Sequence, residues 1–133
     1  MLKGIGTDII EIKRIEKAAL SESFLKRCYT KREVEAFAAS GFAQSAAGAF
    51  AAKEAVAKAF GLGFRGFWPS DIEILKDKNG KPYVNLSQTA AIVAKQYGIK
   101  SISISISHCG EYAVAFAAAE GDCDENSLRL TNA

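Results

Sequence analysis

Residues 50–60 read Phe-Ala-Ala-Lys-Glu-Ala-Val-Ala-Lys-Ala-Phe. The stretch is almost wholly Ala and Phe, as a helix enclosed by other elements would be. Three charges, Lys53, Glu54 and Lys58, are set into it. The helix is expected to run from Ala43 to Phe60 and to stop at Gly61, a good C′ residue. At about 100° per residue, Ala47, Phe50, Ala51, Glu54 and Lys58 fall along one side. Glu54 and Lys58 stand in the favoured i,i+4 order, and the plain reading is a weak surface ion pair. Lys53 points elsewhere and is expected to be exposed.

The segments around this helix are short. Residues 4–12 are rich in β-branched side chains and read as a first strand. Ile5, Thr7 and Ile9 share one face; Gly6, Asp8 and Ile10 share the other. Residues 13–39 read as helical pieces, with Ser21 or Ser23 as a cap and Thr30 with Glu33 in capping-box spacing. Ile72–Leu75 and Tyr83–Leu86 read as strands about a turn at 78–81, where Asn79-Gly80 fits type I′. Pro82 marks an edge or a strand start. Ser87 and Gly98 bracket a further helix. Residues 101–107 alternate Ser and Ile, so Ile102, Ile104 and Ile106 face the core. His108-Cys109-Gly110 is expected as the turn into a partner strand at 111–119. This is an α+β chain, with a small antiparallel sheet packed on one long helix plus shorter helices. It is expected to form one domain over residues 1–119, followed by an acidic, disordered tail at 120–133.

Composition narrows the function. No apolar run is long enough to span a membrane, and the first residues lack the core of a signal peptide, so the cytoplasm is expected. Three cysteines, Cys28, Cys109 and Cys123, form no CxxC pair and read as reduced and structural. The net charge of +2 hides −3 from residue 120 onward and +5 before it. Residues 13–32 hold seven bases against two acids. Such a segment is either a solvated surface or the face met by an acidic partner. It lacks the interleaved aromatics of a single-strand nucleic-acid binder.

Asp8 is a carboxylate within the first strand, expensive there unless it is paired or metal-bound. It is either a satisfied turn aspartate or half of a hard-oxygen site. Gly6 beside it leaves room for something large. A strand Asp and a helix Glu brought together would suit Mg²⁺, which is held by one or two carboxylates with waters and substrate phosphates.

"GIGTDIIEIKRIEK" at 4–17, "FAAKEAVAKAFGLG" at 50–63, "NGKP" at 79–82 and "ISISH" at 104–108 together resemble holo-acyl-carrier-protein synthase. This is the short bacterial type of 4′-phosphopantetheinyl transferase. The resemblance covers about residues 1–119 and implies that family's fold. It implies transfer of the phosphopantetheine arm of coenzyme A to a serine of apo-acyl carrier protein. 3′,5′-ADP is released, and the context is fatty acid biosynthesis. It implies Mg²⁺ at Asp8 and Glu54, with Lys58 one turn beyond against the pyrophosphate. Glu54 or a water held there would be the base. His108, the only histidine, is implied as a coenzyme contact, with Lys81 and Pro82 near the nucleotide end. Lys13, Arg14, Lys26 and Arg27 would meet the acidic carrier protein. The family works as a homotrimer with active sites at subunit boundaries. It commonly has Arg where this chain has Ala49, so no contact is carried over to that position. Two rivals stand beside this reading. One is a non-catalytic carrier-binding module; the other is a coenzyme A-dependent enzyme of another class, such as a thioesterase. Neither needs Asp8 paired with Glu54.

Overall fold

Helix α4 (Phe42–Ala59) is the axis on which the other elements close. The computed structural model describes residues 1–123. Before α4 come β1 (Leu2–Glu11), α1 (Ile12–Ala18), α2 (Glu22–Cys28) and α3 (Lys31–Ser40). After it come a 3₁₀ turn (Pro69–Asp71), β2 (Ile72–Lys76), β3 (Pro82–Leu86), α5 (Gln88–Gln96), β4 (Ser101–Cys109) and β5 (Tyr112–Glu120). The class is α+β, as expected. The strands form two antiparallel sheets rather than one, β1-β5-β4 and the β2-β3 hairpin. Among the described residues no helix is long and apolar enough to cross a membrane.

The larger sheet lays one face on α4. Its register puts Gly6, Ala117 and Ile104 in one row, and Asp8, Ala115 and Ile106 in the next. Ile10, Ala113 and His108 follow. Ala113, Ala115, Ala117 and Ala119 are all buried against the helix. Small side chains on both sides let the sheet and helix approach closely. The contact is tightest at β1, where a Cβ on Gly4 would lie 2.0 Å from the Ala59 carbonyl oxygen. One on Gly6 would lie 1.9 Å from that of Ala55. The space beside Gly6 therefore holds helix backbone, not a ligand. The opposite face of the strand is open: Ile5 and Ile9 are exposed, so β1 is buried on one side only.

Local chemistry sets most boundaries. The Ser21 hydroxyl accepts from the Phe24 N–H, and Thr30 with Glu33 forms the complete capping box of α3. Ser87 caps α5. The β2-β3 turn differs from the type I′ form, because only Gly80 in it has positive φ. The Asp77 carboxylate holds the turn instead, accepting from the N–H groups of Asn79 (2.8 Å) and Lys81 (3.0 Å). Strand β4 continues through His108 and Cys109, so the histidine stands on a strand rather than in a turn.

Lys53 corrects the expectation of exposure. It is fully buried between α4, α3 and β2, paired with Glu33. The segment at 64–68 is also better covered than its composition suggests. Phe67 is buried and packs edge-on against Phe60 and Phe64, leaving Trp68 exposed. Cys28, Cys109 and Cys123 are free thiols. At the C-terminal end of β5, the Gly121 N–H donates to the Met1 carbonyl, and Asp122 pairs with Lys100. Residues 124–133, most of the expected tail, lie outside the described residues.

Gly6→Ala forces β1 off the helix. It is expected to lower stability by about 1–3 kcal/mol or more, read as a lower urea midpoint at constant slope. An unchanged midpoint would contradict the contact.

Candidate active site

Strand β1 and helix α4 run in opposite senses, with Gly4 against Ala59 and Gly6 against Ala55. Two strand residues (about 6.8 Å) therefore match one helical turn (about 5.4 Å). The next inward position, Asp8, comes level with the turn that carries Glu54. Lys58 reaches back from one turn on. Its ammonium donates to the Thr7 carbonyl at 2.9 Å and to Asp8 Oδ1 at 3.2 Å. The lysine is half-exposed, while the Asp8 side chain is largely covered.

Glu54 is half-buried. Burial pushes its carboxyl pKa up, and the neighbouring Asp8 charge pushes it further. Lys58 and Arg14 act in the opposite direction. Asp8, Glu54 and Lys58 thus form one electrostatic cluster, with two acids facing one near lysine. Arg14, expected on sequence grounds in a docking face, also acts on this cluster from α1. Among the described residues no three His, Cys, Asp or Glu side chains gather to hold a metal. Two carboxylates suit Mg²⁺, which keeps waters and takes phosphate oxygens, and do not make a zinc site.

A second feature lies across α4. A cleft of about 640 Å³ opens between α3, α4, the β2-β3 hairpin and β4. His108, Pro82, Tyr83, Arg32 and Lys76 line it, with Gly48 and Ala49 on the helix side. The His108 ring lies on Gly48, where a Cβ would come within 2.9 Å of Nε2. A carbonyl only accepts, so Nε2, 3.1 Å from the Gln44 oxygen, carries the proton in that bond. Lys81, expected near the same ligand, is exposed in the turn and does not line the cleft. Nothing in the sequence placed Arg32, Lys76 or Tyr83 at this cleft, because their convergence depends on how α3 meets the hairpin.

The structure brings Asp8, Glu54 and Lys58 together but keeps His108 apart from them. Asp8 and His108 stand on the two outer strands with β5 between and in successive inward rows, more than two strand spacings or about 10 Å apart. Lys13, Arg14, Lys26 and Arg27 are all exposed on α1 and α2.

A sequence model of the 4′-phosphopantetheinyl transferase superfamily matches residues 4–117. The holo-[acyl-carrier-protein] synthase of Clostridium botulinum is 50% identical over 124 residues, covering 90% of this chain and 98% of the relative. The crystal structure of the Neisseria meningitidis holo-[acyl-carrier-protein] synthase superposes with a TM-score of 0.83 at 36% identity, covering 90% of this chain and 99% of that one. That of the Helicobacter pylori synthase in complex with coenzyme A gives 0.77 at 34% identity, covering 87% and 99%.

The raised Glu54 carboxyl has a consequence for stability. Above its folded pKa the charged form is less favourable in the folded chain than in the unfolded one. Below the unfolded value, about 4.3, both states are protonated and the difference vanishes. Glu54→Gln should therefore raise the melting temperature of the metal-free protein at pH 8, and the gain should fade as pH falls toward 4. A gain that grows on acidification would contradict the assignment.

Proposed function

The chain belongs to the 4′-phosphopantetheinyl transferase superfamily, and we infer that it is an enzyme of fatty acid biosynthesis that moves phosphopantetheine from coenzyme A to a serine of apo-acyl carrier protein. The observation that carries this is the convergence of Asp8, Glu54 and Lys58 on one side of α4. A module that only docks a carrier protein has no use for two partly buried carboxylates beside a lysine. A thioesterase would need a base at a thioester carbonyl instead.

Asp8 and Glu54 would hold Mg²⁺, a hard cation that their oxygen donors suit. When bound, it supplies charge neutralisation for the diphosphate. The chain's own groups do the rest. Glu54, or a water held beside it, accepts the proton of the carrier serine hydroxyl. The serine oxygen forms its bond to the phosphorus nearer the pantetheine arm as the bond from that phosphorus to the bridging oxygen breaks. 3′,5′-ADP leaves with that electron pair. Lys58 is held by the Thr7 carbonyl and Asp8 with donor capacity to spare. It offsets the charge building on the leaving oxygen. The cleft supports the placement of coenzyme A, with His108 and Pro82 on its wall and Lys81 on the adjoining turn. Arg32 and Lys76 add positive charge there.

The transferase domain is assigned to residues 1–119, a span the family match supports. Exposed Lys13, Arg14, Lys26 and Arg27 would meet the acidic carrier. The assembly in this reading is a homotrimer. The outer face of the larger sheet leaves Ile5, Ile9, Tyr112 and Phe116 exposed, an apolar surface that a second copy would cover. A boundary site also accounts for Asp8 and His108 standing on opposite edges of one sheet. Free cysteines support the cytoplasm as the compartment. Sedimentation at three times the chain mass is expected; a monomer at tens of micromolar would overturn the assembly.

Weighing the carrier protein tests the reaction. Apo-carrier incubated with enzyme, coenzyme A and Mg²⁺ should gain one phosphopantetheine, and a chelator should abolish the gain. Asp8→Ala and Glu54→Ala should each slow it on the order of 10²-fold or more with an unchanged circular dichroism spectrum. Normal turnover by both would remove the metal reading. Arg27→Glu, chosen because Arg14 also acts on Glu54, should raise KM for the carrier and not for coenzyme A. Equal rises would count against docking.

A further inference from the structure

Lys53 and Glu33 form an ion pair with no exposed surface on either side chain. Lys53 Nζ donates to Glu33 Oε1 at 2.8 Å, to the Pro69 carbonyl at 3.2 Å and to the Ile72 carbonyl. Its three protons meet three acceptors. Glu33 Oε1 also accepts from the Thr30 N–H at 2.9 Å, and Oε2 from the Ile74 N–H at 3.1 Å. The Tyr29 ring centre lies 5.5 Å from the ammonium, and its hydroxyl donates to the Ala46 carbonyl at 2.7 Å. One pair thus ties together the start of α3, the middle of α4, the 3₁₀ turn and β2.

Stability alone does not account for such a pair. Two buried charges lose hydration, and apolar residues of similar volume often hold a core as well or better. Burial pushes the Glu33 carboxyl up and the Lys53 ammonium down, against the hydrogen bonds that favour their charged forms. What the pair adds is direction. Ala46, Ala47, Ala51, Ala52, Ala55 and Ala57 on α4 are fully buried, so methyl groups make up most of the surface this helix buries, with Val56 and Phe50 among the few larger side chains. Such a cylinder packs closely but offers shallow ridges to fix its rotation. Turning α4 by about 20° would move a group about 5 Å from its axis by nearly 2 Å. That carries the root of Lys53 away from three acceptors fixed on other elements. Glu54 is the next residue, about 100° further round.

We propose that Lys53 and Glu33 are a positioning pair, which sets the rotation of α4 so that Glu54 and Lys58 face Asp8. The proposal rests on the reading of Asp8 and Glu54 as the metal ligands. It assigns the pair no contact with either substrate.

The test replaces both charges together, Glu33→Met with Lys53→Met, because a single truncation strands a buried charge and unfolds the chain for an unrelated reason. The expected double variant keeps the wild-type circular dichroism spectrum and melts no lower. Its Mg²⁺ requirement for half-maximal rate rises about 10- to 100-fold, as when a group that orients a metal ligand is lost. KM for the carrier stays unchanged. A folded double variant with the wild-type Mg²⁺ requirement overturns the proposal. So does a double variant that cannot fold, since the pair would then hold the fold rather than the angle of Glu54. Wild-type protein and Glu54→Ala are assayed alongside. If wild type needs no Mg²⁺ or Glu54→Ala turns over normally, the metal reading itself falls, and this proposal with it. A Mg²⁺-dependent wild type with an unchanged double variant overturns the pair alone.

Discussion

Backbone lies on backbone where β1 crosses α4, and the rest of the site follows from that contact. Two glycines make it possible, since a Cβ at position 4 or 6 would stand 2.0 or 1.9 Å from a helix carbonyl oxygen. With the gap closed, the next inward position of the strand meets the flank of α4 at a fixed depth. Asp8 needs no long side chain to reach Lys58, and its charge acts on Glu54. The alanines of β5 extend the same principle across the sheet. Glycine and alanine set the distance. On the other side of the helix, the buried pair of Lys53 and Glu33 sets the angle.

The charges sort themselves by what surrounds them. Lys53 and Lys58 stand five residues apart on one helix, yet one is sealed from water and the other half-open. The sealed lysine has every proton in use and is inert. The open one keeps donor capacity and stands beside two carboxylates, so it can meet an anion where the acids would hold a cation. The cleft proposed for coenzyme A lies on the far side of α4. Within one chain, β5 separates the strands that carry Asp8 and His108. The uncovered apolar face of that same sheet gives a physical reason for copies to associate.

Much of this was legible in the residues. The bounds of α4, the caps at Ser21, Thr30 and Ser87, and the alternation at 101–107 all follow from local rules of period and capping, which tertiary contacts did not override. Asp8, Glu54 and Lys58 were visible as candidates because a charge in an apolar segment demands a reason. Other features were hidden because they depend on which neighbour arrives. A helical wheel shows that Lys53 and Glu54 point apart, but not which side faces water. Glu33 read as a capping-box residue; it caps α3 and also neutralises a lysine twenty residues on. Gly6 was read as leaving room for something large; what fills that room is the backbone of α4. The turn at 77–81 takes its form from the Asp77 side chain rather than from Asn79. Lys76 and Tyr83 carry no local signal, and Arg32 stood out only as one base of the segment at 13–32.

Crystals grown with coenzyme A and Mn²⁺ in place of Mg²⁺ put the central claim to the most direct test. Anomalous scattering should show one ion per active site, ligated by Asp8 and Glu54 of a single chain and by diphosphate oxygens. An ion bound to the diphosphate with neither carboxylate in its coordination sphere would contradict the account.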